Sequence, residues 1–210
     1  MTAPARVDSP VIRRIFEAYK MDESDIVSLY QGIERQLTIT YRQVIAQQLN
    51  LYGCQRTVTG PDNRSLKWIQ SKARQDSESI ANTFDRELMS RIQRIRSANR
   101  RANRFYFIRE LDAWIAGRTP RKSASIGLNT MTSAREYAQT RFAQENNIQG
   151  KWVFTGPPPV CKICIRIKGL GPVTFERTQK QRLPAHINCP HRWSQLIPKK
   201  IECGPDTWTG

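Results

Sequence analysis

No stretch of this 210-residue chain approaches the roughly 18 consecutive apolar residues that a bilayer-spanning helix needs. The opening residues Met1 to Pro10 carry no apolar core of the signal-peptide kind, so the chain is expected to be soluble and made in a cytosol. Cysteine is sparse at five, and the odd count, with Cys54 and Cys203 far from the other three, argues against a fully paired disulfide framework. Histidine is scarcer still, at two. None precedes His186, which excludes a zinc deaminase, whose His-x-Glu element must stand ahead of its cysteine pair. A phosphate-cradling glycine loop is also missing: Gly169-Leu170-Gly171 lacks a third glycine, opens no evident helix and reads as a turn. There is no internal repeat.

Acidic residues are few as well, 18 against 34 lysines and arginines, leaving a net charge of +16. Such a balance implies a nucleic acid or an acidic protein surface as neighbour.

The scarce histidines and three of the cysteines are gathered in one place. Cys161 and Cys164 form a C-x2-C pair, His186 and Cys189 an H-x2-C pair, and His191 follows closely. Two residues between paired ligands let both side chains converge on one ion, so Cys161, Cys164, His186 and Cys189 are predicted to hold a tetrahedral metal, with His191 as the alternative imidazole or as a supporting neighbour. Zinc is the natural cofactor, and four protein ligands favour a structural ion. A His-Cys metal nuclease, using His186, Asn188 and His191, is the competing enzymatic reading, and no nearby carboxylate supports it. Cysteines at this spacing are also more often ligands than protease nucleophiles.

Ahead of the cluster the chain reads as helix. Val11, Ile12, Ile15, Phe16 and Tyr19 make a short apolar stripe, after which Asp22 to Asp25 offer capping oxygens for a second helix. That helix has Ile26, Tyr30, Ile33, Leu37, Tyr41, Val44 and Gln48 on one face and stops at Gly53. From Leu66 a third apolar period continues almost to Gly117, with Pro120 expected as a breaker and Ser97 to Asn103 as a possible interruption. A further helix is expected from Asn129 to Asn147, burying Met131, Ala134, Ala138 and Phe142. Lys151 to Thr155 has strand composition, and beyond it helical period is absent.

Between Arg86 and Lys122 basic residues exceed acidic ones by eight, half the net charge of the whole protein. Arg91, Arg94, Arg96, Arg100, Arg101 and Arg104 are expected on the face opposite Leu88, Ile92 and Ile95, where their forks suit phosphates or carboxylates. Of the adjoining Phe105, Tyr106 and Phe107, at least two are expected in the core, and an exposed one suits stacking on a base.

The predicted fold is therefore mainly α, with long helices in the N-terminal two-thirds and a small irregular α+β zinc-stapled module at the C-terminus. The expected domains are 1–122, helical and basic, and 123–210, with the knuckle and a tail carrying Trp208. The order Lys151-Trp152, a proline turn, Cys161-Lys162-Ile163-Cys164, Lys168-Gly169 and Pro184-Ala185-His186-Ile187-Asn188-Cys189 resembles the phage Mu F-like minor head (head morphogenesis) proteins. The helix from Asn129 to Asn147 matches the one that precedes the tryptophan strand in that family. The resemblance covers about residues 123–193. In this chain Ile187 follows His186 where the family carries proline, and His191 stands in place of its last cysteine; histidine is itself a good zinc ligand. The resemblance implies a minor capsid protein of a tailed-phage virion, multimeric in assembly, with the portal and other head proteins as partners, packaged DNA as a further candidate and no membrane. A zinc-ribbon nucleic-acid-binding protein is the alternative.

Overall fold

A computed structural model describes residues 10–99, 101–148, 150–159, 161–181, 183, 189–196 and 207–208. The protein is mainly helical, with long helices in the N-terminal part and a small strand-containing C-terminal region around a Cys/His cluster. Four helices come first: α1 (Pro10–Tyr19), α2 (Glu23–Leu51), α3 (Asn63–Ala98) and α4 (Arg104–Glu145). No helix among the described residues is long and apolar enough to cross a membrane.

Each helix begins and ends for a local reason. At the start of α2, Asp22 and Asp25 cap reciprocally: the Asp25 N–H donates to the Asp22 carboxylate at 2.9 Å and the Asp22 N–H to the Asp25 carboxylate at 3.2 Å. The bond from the Asp25 N–H, with one from the Ser24 hydroxyl at 2.7 Å, holds the Asp22 carboxyl below its ordinary range. Gly53 closes the same helix at φ +77, with Gly53 N–H bonded to Asn50 O and Cys54 N–H to Leu49 O, the paired bonds of a Schellman stop. Asn147, at φ +46, ends α4 in the same way, with Asn147 N–H on Gln144 O and Ile148 N–H on Ala143 O. Asp62 and Asn103 cap α3 and α4 through bonds from Ser65 N–H at 2.7 Å and Tyr106 N–H at 3.0 Å.

The interruption expected between Ser97 and Asn103 is present, and it separates α3 from α4. The expected stop at Gly117 and Pro120 is not. A single helix runs through both, joining two helices the sequence had separated. Proline removes one donor and fixes φ at a helical value, so it weakens one turn, and the periodic residues on both sides carry the helix across.

The chain divides into two compact units, and the division falls within helices. Unit 1 comprises residues 1–31 and 74–123, and unit 2 comprises residues 32–73 and 124–210. Residues 32–73, expected in an N-terminal helical domain, thus fold in the unit that holds the C-terminal region. Unit 1 is built on Ile15, Leu88, Ile92, Ile95, Phe107 and Leu111, with Phe84 stacked on Trp114 at 6.0 Å. In unit 2 the buried face of α2, Leu37, Tyr41, Val44, Ile45 and Leu49, is part of a core that includes Ile69, Ala134, Ala138 and Phe142. Trp68 stacks flat on Tyr137 at 3.9 Å.

The rest of unit 2 contains β2 (Lys151–Thr155), α5 (Lys162–Lys168), β3 (Val173–Thr174), α6 (Phe175–Lys180) and β4 (Arg192–Gln195). The sheet order is β3-β2-β4, antiparallel throughout, with Phe154 opposite Trp193 and Trp152 opposite Gln195. The strand expected at Lys151–Thr155 is present. The two short helices were not expected, because seven and six residues are too few to show an apolar period. In the tail, Thr207–Trp208 forms β5, parallel to β1 (Thr57–Val58).

Candidate metal centre

Cys164, Cys189 and His191 converge, all three buried, with their ligand atoms within 4.8 Å of one another. The Cys164 and Cys189 sulfurs are 3.7 Å apart, and the Cys189 sulfur is 3.5 Å from His191 Nδ1. This group can hold a metal ion, and no Asp or Glu belongs to it among the described residues.

Each side chain arrives by a different route. Cys164 lies on α5, whose N-cap is Cys161; the Cys161 sulfur accepts the Cys164 N–H at 3.3 Å. Of the C-x2-C pair, one residue therefore caps the helix and the other points inward from its first turn. Cys189 precedes β4, where its carbonyl accepts the Thr132 hydroxyl of α4 at 3.3 Å. His191 adjoins β4. Its ring stacks on Phe154 of β2 at 4.5 Å, and its Nε2 meets the Pro157 carbonyl at 2.9 Å. A carbonyl only accepts, so Nε2 carries the proton and Nδ1 turns a lone pair toward the sulfurs, the arrangement typical of a metal-ligating imidazole.

Gly156 makes that placement possible. It sits at φ +144, and a Cβ there would lie 2.7 Å from His191 Cδ2. The proline turn after β2 thus both bonds the imidazole and leaves room for it.

Burial pushes the Cys164 thiol up to about 12, and its hydrogen bonding to the Cys161 and Cys189 sulfurs adds to the shift. Crowded thiols in such a site ionise when a positive ion supplies the opposing charge.

Of the sequence-predicted ligands, Cys164 and Cys189 lie in the group, Cys161 adjoins it half-buried, and His191 supplies the imidazole. His186 lies outside the described residues. Cys161, Cys164 and Cys189 are free thiols, whereas Cys54 is buried and disulfide-bonded, so metal binding does not account for every cysteine. Cys203 lies outside the described residues. Sequence reasoning missed Phe154, Gly156 and Pro157 as supports of the site; the Gly-Pro-Pro-Pro run was the available signal, and it read only as a turn.

The basic stretch is less uniform than its sequence suggests. Arg94, Arg96, Arg101 and Arg104 are exposed, and Arg100 lies outside the described residues. Arg91 is a correction to the expected open face: it pairs with Glu110 at 3.3 Å, with both side chains about one-third exposed. Arg118 likewise pairs with Glu87. Arg109, not singled out before, is exposed and lies 5.2 Å over the Tyr106 ring. Phe107 is buried, while Phe105 is 82% exposed.

Comparison with family models, curated proteins and solved structures returns no match to this chain.

Proposed function

We propose that the chain is a non-enzymatic structural protein in which Cys161, Cys164, Cys189 and His191 hold one zinc ion as a fixed staple. The spacing of the buried group carries this reading. Around a tetrahedral zinc with bonds of about 2.3 Å to sulfur and about 2.0 Å to nitrogen, two sulfurs sit about 3.8 Å apart and a sulfur and nitrogen about 3.5 Å apart. The separations here are 3.7 Å for Cys164 and Cys189 and 3.5 Å for Cys189 and His191. Cys161 completes the set, since its sulfur already meets the Cys164 N–H. Four protein ligands leave no position for an activated water, which makes the ion architectural. Elemental analysis of protein purified without chelator tests it. One zinc per chain is expected, retained in His186→Ala and lost in His191→Ala; retention in His191→Ala and loss in His186→Ala would reverse the assignment.

Within that class we favour a minor head component of a tailed-phage virion, with portal and other head proteins as partners. Support comes from the Mu F-like order of residues across 123–193 and from the exposed arginines at the α3–α4 turn, which suit an acidic surface. Co-sedimentation with portal or procapsid is expected, and a purified protein indifferent to every head component would end this reading.

One observation favours a second reading, nucleic-acid binding. Phe105 stands exposed beside Arg101 and Arg104, a pairing of aromatic face and guanidinium that suits unstacked bases. DNA affinity that falls steeply with salt and is lost in Phe105→Ala and Arg101→Glu/Arg104→Glu would favour it.

A further inference from the structure

Unit 2 contains a partly open cavity of about 380 Å3, lined from α2, α4 and the three-stranded sheet. Its lining is of two kinds. Val44, Leu51 and Trp152 supply apolar surface, while Arg135 and Arg192 bring two guanidiniums, and no carboxylate lines it among the described residues. Neither arginine has an ion-pair partner among the described residues. Elsewhere in the chain, Arg91, Arg118 and Arg141 do have acidic partners.

Arg135 is partly buried and Arg192 exposed, so the cavity mouth carries two like charges with no ion-pair partner among the described residues. Burial, and then the field of Arg192, hold the Arg135 guanidinium below its ordinary range. Two further lining residues have unmet hydrogen-bonding capacity: Trp152 Nε1 and Gln139 Oε1 are buried without a partner.

We propose that this cavity binds an organic carboxylate with an apolar body, its acid group held by Arg135 and Arg192 and its apolar part against Val44, Leu51 and Trp152. Planar guanidinium forks match a carboxylate in two-bond geometry. The apolar lining selects against a bare inorganic anion. The ligand is a free acid or the acidic side chain of a peptide, since both present the same group.

The full-length protein with its metal serves for the test. The indole N–H resonance of Trp152, identified by its loss in Trp152→Phe, reports binding here and not at the basic α3–α4 turn. The probes are 3-phenylpropionate, its uncharged amide, inorganic phosphate, and the blocked tripeptide acetyl-Leu-Asp-Leu-amide with its Asn counterpart. An acid should shift the resonance saturably, and each uncharged counterpart should bind about tenfold more weakly or worse. Arg135→Gln and Arg192→Gln should each lose a similar factor, with Arg→Lys at either position recovering part of it. Relief of repulsion should leave the melting temperature of the ligand-free Gln variants unchanged or raised. Tighter binding by the free acid or by the tripeptide identifies the source. Equal binding of acid and amide, phosphate binding tighter than any carboxylate, or Gln variants that bind as well as wild type would each overturn the proposal.

Discussion

Unit 1 and the sheet region of unit 2 solve the same problem with different materials. In unit 1, Leu88, Ile92 and Leu111 are fully buried, and the helices that carry them are long enough to present a continuous apolar stripe. The sheet region has strands of two to five residues and helices of six and seven. Elements that short bury little apolar surface, so much of the cohesion there falls to convergent polar groups: three thiols, an imidazole, and Trp193 Nε1 bonded to Gln181 O at 3.0 Å. The difference teaches that a chain of this length can combine a core built from long apolar stripes with a region gathered around a buried Cys/His group that could hold a metal ion.

The largest effect should come from removing the ion. Chelation, or Cys189→Ser, is expected to release it and open residues 150–196 to hydrogen exchange while the unit 1 helices stay protected, because structural zinc contributes about 10–16 kcal/mol in small sites. Equal protection of the sheet region with and without metal would erase the contrast. The converse experiment is Leu88→Ala, which should destabilise unit 1 by about 2–5 kcal/mol in urea titration. Its metal content should be unchanged.

Glu136 sharpens the comparison by pH. Its side chain partly reaches the surface, yet burial of the carboxyl pushes it up to about 8. The folded state therefore keeps a proton that the unfolded state has lost, and stability should fall as pH rises from about 4.5 to about 8. Glu136→Gln should flatten that slope and gain on the order of 3 kcal/mol at the alkaline end. Thermal melts across the range, compared with wild type, provide the check. Smallest is Gly156→Ala, which forces an L-residue to φ +144 against His191. A stability loss of about 1–3 kcal/mol is expected, together with weaker metal retention in a competition assay with a colorimetric chelator.

Legibility from sequence followed the length over which a signal repeats. The faces of α2 and α3 were plain because the apolar residues recur over several turns, and Asp22 and Gly53 mark the ends of α2 by known cap chemistry. Pro120 misled because a local breaker was weighed above the periodicity on both sides of it. The short helices α5 and α6 were invisible for the opposite reason, having too few turns to repeat anything. At the Cys/His group, the C-x2-C and H-x2-C pairs each supplied one converging thiol, Cys164 and Cys189, whereas the place of His191 depends on a stacking ring, a carbonyl and a missing Cβ, which come from residues 154–157. Arg91 looked free because its partner Glu110 lies nineteen positions away, on the next helix.

Cys161 gives this architecture a blind spot for the experimenter. Its sulfur accepts the N–H that α5 would otherwise leave unmet, and a serine hydroxyl can perform that duty equally well. Cys161→Ser would therefore keep the helix cap while removing the thiol proposed to complete the ligand set. Counting metal atoms, or following hydrogen exchange over residues 150–196, would tell the two proteins apart.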